Sequence, residues 1–100
     1  MDEEKCRDAG GIIKDGKCQM PEVNFTAFIM SLNTSALFYL GEIPDPATGQ
    51  TTQDLILAKH TIDTLDLLEN KTKGNLSEDE KNILEKFVYD LKMRYVQLSR

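Results

Sequence analysis

The stretch NFTAFIMSLNTSALFYLG, residues 24–41, decides the fold of this chain. Its apolar side chains recur at the 3.6-residue spacing of an α-helix, which Asn24 is suited to cap and Gly41 to end. The main stripe comprises Phe25, Phe28, Ile29, Leu32, Ala36, Tyr39 and Leu40. A second apolar group, Ala27, Met30, Leu37 and Phe38, surrounds Thr34 on the opposite face. A helix that is apolar on two sides has to be covered on both.

Two further amphipathic helices follow. Pro44, Pro46 and Gly49 break any helix between residues 42 and 52, and the pattern predicts a second helix over 53–73, ending before Gly74. Its apolar stripe comprises Leu55, Leu57, Ala58, Thr61, Ile62, Leu65 and Leu68. Ser77 and Glu80 have the spacing of a capping box, which starts a third helix over 78–98. The stripe of the third helix comprises Ile83, Leu84, Phe87, Val88, Leu91, Tyr95 and Leu98.

The first 22 residues differ from the rest. Gly10, Gly11, Gly16 and Pro21 make a helix unexpected there, whereas Asp15-Gly16 is a favoured two-residue hairpin turn. We therefore predict an all-α protein with two parts. Residues 1–22 form an irregular or hairpin-like N-terminal segment, and residues 23–100 form a three-helix domain.

Composition restricts the range of functions. The chain has 100 residues, enough for one domain, and a formal net charge of −5, which argues against binding nucleic acid or an anionic membrane surface. The uncharged stretch 23–41 contains too many Asn, Ser and Thr side chains to span a bilayer. The acidic N-terminus lacks the pattern of a secretion signal, so we expect a cytoplasmic location.

Cys6 and Cys18 are the two cysteines, and in a reducing cytoplasm we expect them to be free thiols. A thiol- or metal-dependent regulatory module that uses both is the main alternative. Zinc would need His60 and a fourth ligand, and the eleven residues between the cysteines exceed the usual short spacing of zinc ligands. We assign no metal and no cofactor to the chain.

The candidates for catalysis or phosphate binding have simpler explanations. His60 is the single histidine, and without a nucleophile tied to it, a surface or interface histidine is the better interpretation. Lys71, Lys73 and Gly74 precede a first helical turn that is acidic, which would repel a phosphate group. A turn between two helices explains them better, and we assign no catalytic residue.

Several strings, in this order along the chain, resemble a short bacterial family called domain of unknown function 1844. They lie at residues 25–32, 35–37, 40–46, 58–59, 61–63, 71–76 and 89–96. The resemblance covers about residues 23–96 and implies a bacterial, cytoplasmic, helical protein. It implies no activity and no site residue, and the segment 1–19 with both cysteines lies outside it.

The second apolar face of the first helix leads to the functional hypothesis. We expect a non-catalytic helical module for self-association or protein interaction, most simply a homodimer. The self-association residues would be Met30, Thr34, Leu37 and Phe38. Alternatively, the loop with Pro44 and Pro46 or the N-terminal hairpin could cover that face within one chain and leave a monomer. A further protein partner, of unknown identity, stays open.

Overall fold

The computed structural model describes residues 2–20 and 23–99. In these ranges four α-helices and one antiparallel two-stranded hairpin follow one another. They are α1 (Glu3–Asp8), β1 (Ile12–Lys14), β2 (Lys17–Gln19), α2 (Phe25–Leu40), α3 (Leu55–Lys71) and α4 (Glu78–Leu98). The predicted helical fold with a hairpin near the N-terminus is confirmed. Pro21, predicted to interrupt the chain, and the predicted boundary at Glu22 lie outside the described residues.

The three long helices begin at side chains that cap them. The Asn24 side chain accepts a hydrogen bond from the Ala27 amide at 2.7 Å, and Asp54 does the same for Leu57 at 3.0 Å. Before α4 both bonds of the predicted capping box are present: Ser77 N donates to Glu80 at 2.8 Å, and Glu80 N donates to Ser77 at 3.2 Å. Such caps satisfy amides that have no partner inside the helix.

Helix α2 ends where the sequence predicts. Gly41 has a φ of 83°, in the left-handed region, and its amide donates to the Phe38 carbonyl. The amide of Glu42 reaches back to the Leu37 carbonyl at 2.9 Å, which completes a Schellman motif. A residue with a Cβ would be strained at this position, so glycine allows the chain to turn sharply into the following loop.

Helices α2, α3 and α4 all pack against one another around one core. Its buried residues are Ile29, Ala36 and Leu40 of α2, Ala58, Ile62 and Leu65 of α3, and Leu84, Val88 and Leu91 of α4. Each helix thus contributes one face at the predicted 3.6-residue spacing. At roughly 1.5–3 kcal/mol for each large apolar side chain that is buried, this cluster is the main source of stability of the bundle.

Three residues of the predicted stripes are not in the core: Phe28, Leu57 and Leu98, the last of which is 38% exposed at the end of α4. Phe28 is 49% exposed and Leu57 is 42% exposed. Each directly precedes a fully buried residue, Ile29 or Ala58, and one residue along a helix turns the side chain by about 100°. The predicted stripes were therefore wider than the face that two neighbouring helices can cover.

The connection between α2 and α3 is ordered by hydrogen bonds. The Gln53 side chain donates to the Leu40 carbonyl, and the Asp54 amide donates to the Tyr39 carbonyl at 2.7 Å. The carbonyls of the last turn of α2 have no donor within the helix, and these two bonds satisfy two of them. Gln53 therefore belongs to the loop, and α3 runs over Leu55–Lys71, slightly shorter than the predicted 53–73.

The N-terminal segment contains a short helix that the sequence did not predict. Asp2 caps α1 through the Lys5 amide, and Gly10, with a φ of 87°, ends it in a second Schellman motif. The glycines that argued against a helix therefore mark its end. Asp15 and Gly16, both at positive φ, form the predicted hairpin turn.

The N-terminal unit, defined as residues 2–20, packs on itself. Helix α1 contacts both strands of the hairpin. In the described ranges, α1, β1 and β2 make no contacts with the three long helices. Two sets of contacts therefore exist, one within the N-terminal unit and one within the bundle.

Candidate functional site

The side of α2 that points away from α3 and α4 is the candidate site. Phe25–Leu40 contains no charged residue, unlike the other three helices that the structure describes. We define the outward α2 face by six residues: Ala27, Met30, Ser31, Thr34, Ser35 and Phe38. Met30 is 52% exposed, and the four small residues of this face are exposed as well. No helix in the described ranges is long and apolar enough to cross a membrane.

The four residues predicted for self-association do not all lie in the same environment. Met30 and Thr34 are exposed on the outward α2 face. Phe38 is on this face but partly buried, with its ring edge-to-face against Tyr39 at a centroid distance of 5.5 Å. Leu37 packs partly against the core cluster, so less of its side chain is available to a partner.

A small apolar pocket lies at the C-terminal end of the outward α2 face. Its volume is about 200 Å³, and its walls come from α2 and from the loop that follows it. The lining residues are Thr34, Ser35, Phe38, Tyr39, Ile43, Pro44 and Pro46. The proline loop therefore borders this face at the Phe38 end, while Met30 stays half exposed.

Charged side chains lie on the other helices and pair within the chain. Lys92 of α4 meets Asp66 of α3 at 3.2 Å, and Arg94 bonds Asp90 at 3.0 Å and approaches Glu42 at 3.5 Å. The hydrogen bond to Asp90 raises the pKa of Arg94. These pairs stand on exposed surface, where each is worth at most about 1 kcal/mol. The surfaces of α3 and α4 thus carry charged pairs beside exposed apolar residues such as Ile56 and Val96, whereas α2 carries no charge at all.

The two cysteines form a disulfide, so the expectation of two free thiols is wrong. Cys6 of α1 and Cys18 of β2 have Cα atoms 5.8 Å apart, and the Cys6 side chain is completely buried. The expectation rested on a reducing compartment, whereas the local fold brings β2 directly against α1. With both sulfurs in this bond, neither can serve as a thiolate ligand for zinc.

Gly11 makes this arrangement sterically possible. A Cβ on Gly11 would lie 2.7 Å from Cys6 Sγ, closer than such atoms approach in real structures, and 3.1 Å from Cys18 Sγ, tighter than most such contacts. The chain therefore passes directly beside the disulfide at a point where only glycine fits. The Gly10-Gly11 pair is the sequence feature that could have indicated this arrangement. Gly10 ends α1, and Gly11 leaves space for the two sulfur atoms of the disulfide.

The environment of His60 is an exposed groove. Leu55, Ile56, Lys59, Asp63 and Tyr95 line this groove together with His60. Lys59 donates to Asp63 at 2.7 Å, which raises the pKa of the lysine, so that carboxylate is already paired. Among the described residues, no group of three or more His, Cys, Asp or Glu side chains is placed to hold a metal ion.

The lysines near the α3–α4 turn border a groove of about 570 Å³. Lys73 and Lys81 line it together with Glu69 and Glu85, so positive and negative charges balance. The Thr72 hydroxyl donates to the Leu68 carbonyl and closes the end of α3. This geometry matches the predicted turn between two helices.

Comparison with known proteins gives a family. A family model described as a domain of unknown function, DUF1844, matches residues 22–97, which include α2, α3 and most of α4 and exclude the disulfide-bonded unit. No curated protein and no solved structure is detectably similar to the chain. The match spans most of the sequence and agrees with the resemblance found at residues 23–96, so this chain belongs to the DUF1844 family.

Proposed function

We propose that this chain is a non-catalytic helical module that self-associates through the outward α2 face. The observation that supports it best is a helix without any charge whose outward face leaves Met30 about half exposed. Solvent-facing sides of helices in water-soluble domains are ordinarily polar or charged. Large exposed apolar surfaces commonly mark sites of protein association.

The energetic reason is burial of apolar area. Covering the exposed half of Met30 stabilises a complex by about 1 kcal/mol, since fully burying a side chain of this size contributes roughly 1.5–3 kcal/mol. A symmetric dimer gains this contribution twice, once from the Met30 of each copy. The small residues between Met30 and Phe38 let a second helix approach closely, which increases the number of van der Waals contacts.

The test compares one substitution on the face with one off it. Met30→Glu places a charge on the outward α2 face at an exposed position, so the fold of the monomer should persist. Ile56→Glu is the matched control, because Ile56 is 83% exposed on α3. Light scattering should give a dimer for the wild type and the control, and a monomer for Met30→Glu. A dimeric Met30→Glu variant would place any self-association elsewhere.

Phe38→Asp is a second test variant, and it could also unfold the monomer. Phe38 is partly buried against Tyr39, so its replacement also disturbs contacts within the monomer. Circular dichroism therefore has to accompany the light scattering. A folded, monomeric Phe38→Asp variant supports the proposal, whereas a folded dimer shows that this end of the face is not in the interface.

A second candidate function is a redox-dependent role for the N-terminal unit. The specific observation is the Cys6–Cys18 disulfide in a unit whose helix and strands contact only one another. A disulfide typically contributes about 2–4 kcal/mol, a large share of what so few residues can gain from packing. Reduction by a dithiol would then unfold the unit and leave the bundle intact. Amide exchange with and without dithiothreitol tests this, and equal protection of residues 2–20 in both states would exclude it.

A further inference from the structure

The outward α2 face shows an ordered alternation of small and large side chains. From the N-terminal end the order is small Ala27, large Met30, three small residues, and large Phe38. At a rise of 1.5 Å per residue, Ala27 and Phe38 lie about 16 Å apart along the helix. The face is therefore long enough for one helix packed along it.

A two-fold axis through the middle of this face brings large residues opposite small ones. With the axis between residues 32 and 33, two antiparallel copies of α2 bring Ala27 opposite Phe38. The same operation brings Met30 opposite Ser35 and Ser31 opposite Thr34. Close packing needs such interdigitation of large and small side chains. The face is thus complementary to itself when the second copy runs in the opposite direction.

A parallel arrangement of the same helices fits poorly. Every residue would then lie opposite its own copy, so Phe38 would meet Phe38 while Ser31 met Ser31. The large pair would hold the helices apart, and the small pairs would leave voids that forfeit contact energy. The two proline loops would also meet at the same end, because each borders Phe38.

The pocket beside Ser35 provides a place for Met30. Ser35, which the two-fold arrangement places opposite Met30, lines this pocket together with Phe38 and the loop residues Ile43, Pro44 and Pro46. Methionine is unbranched and flexible, and it readily fills irregular apolar spaces. From this geometry we infer that two copies pair their α2 helices antiparallel, with Met30 of each copy in the other's Ser35–Phe38 pocket. The inference rests on the proposed self-association.

The lack of charge on the outward α2 face, rather than any attraction between whole chains, favours a second copy as the occupant. Each chain has a formal net charge of −5, so two copies repel one another at long range. An α2–α2 contact adds no charge to the interface and keeps the paired groups of α3 and α4, such as Lys92 and Asp66, outside it. A partner helix with charged surfaces would lose the hydration of its charges against an uncharged face.

Charge substitutions at the centre of the face test the direction of pairing. Ser31 and Thr34 lie on the outward face away from the core cluster, so Ser31→Lys and Thr34→Glu should leave the monomer folded. In the antiparallel pair the two copies of position 31 lie about 4.5 Å apart along the axis. Ser31→Lys therefore brings two positive charges together, and this variant should dissociate. We expect its dissociation constant to rise at least ~10-fold, which corresponds to ~1.4 kcal/mol.

The double variant Ser31→Lys with Thr34→Glu separates the two directions. In the antiparallel pair each new lysine faces the new glutamate of the other copy, so the dissociation constant should return close to the wild-type value. In a parallel pair like charges face one another, and the double variant should be at least as weak as Ser31→Lys. Recovery supports the inference, and its absence from a folded double variant overturns it.

Crosslinking gives an independent measurement in a Cys6→Ser, Cys18→Ser background. Ser31→Cys should form an intermolecular disulfide, whereas Ala27→Cys should not, because its two copies are then ~16 Å apart along the axis. Efficient crosslinking through Ala27→Cys would overturn antiparallel pairing while self-association stands. A wild-type protein that is monomeric in light scattering would instead refute the proposed function itself.

Discussion

The contact between Gly11 and the disulfide makes a quantitative prediction. In Gly11→Ala the new Cβ would lie 2.7 Å from Cys6 Sγ and 2.8 Å from Met20 Sδ. Heavy atoms in contact normally lie about 3.5–4 Å apart, so the neighbouring groups have to move by roughly 1 Å. Cys6 is completely buried, which leaves its sulfur little freedom to shift. Overpacking of this kind costs about 1–3 kcal/mol.

The assay is the equilibrium between this disulfide and glutathione. Folding of the N-terminal unit holds the two sulfurs together. A substitution that makes the free energy of folding of this unit less favourable therefore lowers the equilibrium constant for disulfide formation. A cost of about 1–3 kcal/mol corresponds to a decrease of roughly 5- to 150-fold. Counting free thiols over a series of glutathione ratios measures this constant.

The matched control is Gly16→Asn in the hairpin turn. A Cβ on Gly16 would meet nothing within 4 Å, and asparagine tolerates the left-handed conformation that Gly16 adopts at a φ of 75°. This variant should change the equilibrium constant by less than Gly11→Ala does. If the two variants behave alike, or if Gly11→Ala has no effect, the steric explanation of Gly11 is wrong.

Three further predictions concern the bundle. Leu65→Ala should lower the free energy of unfolding by about 2–5 kcal/mol, because Leu65 is completely buried, whereas Leu67→Ala, at a position 55% exposed, should cost far less in the same denaturant titration. Ser77→Ala removes one bond of the capping box and should cost about 1 kcal/mol, measured as a shift of the urea midpoint. Replacing Cys6 and Cys18 by serine should leave melting and association of the bundle unchanged while the N-terminal unit loses protection from amide exchange, and a lower melting temperature of the bundle would contradict the separation of the two units.

Much of the helical domain followed from the sequence because each signal was local. The Asn24 cap, the left-handed Gly41 and the Ser77–Glu80 capping box all act within a few residues, and all three appear as predicted. The core faces followed from spacing alone. Of the three exceptions, Phe28 and Leu57 lie at the edges of their stripes, where burial depends on how neighbouring helices cross, and Leu98 is the last residue of α4. The spacing of apolar residues along one helix does not show how its neighbours cross it.

The N-terminal unit was predicted less well for a physical reason. The prediction that residues 1–22 contain no helix is wrong, because α1 spans Glu3–Asp8 and ends just before Gly10 and Gly11. A helix of six residues has too few periodic positions to show a stripe. The pairing of Cys6 with Cys18 depends on how the hairpin folds back on α1, and the expectation of free thiols came from an inferred compartment.

The candidate site was partly visible in the sequence. The absence of charge from 25 to 40 and the second apolar group, including Met30 and Phe38, are sequence features, and they directed attention to this helix. The structure adds that Leu37 turns partly to the core and that the proline loop forms a pocket at the Phe38 end. Both features depend on tertiary packing.

The mass of the intact protein in solution tests the central claim most directly. Light scattering coupled to size-exclusion chromatography should give about twice the chain mass of 11.3 kDa at concentrations well above micromolar. Dilution should shift the mass toward one chain, because the proposed interface is limited to one uncharged helix face on each copy. A mass of one chain at every concentration would contradict self-association through the outward α2 face.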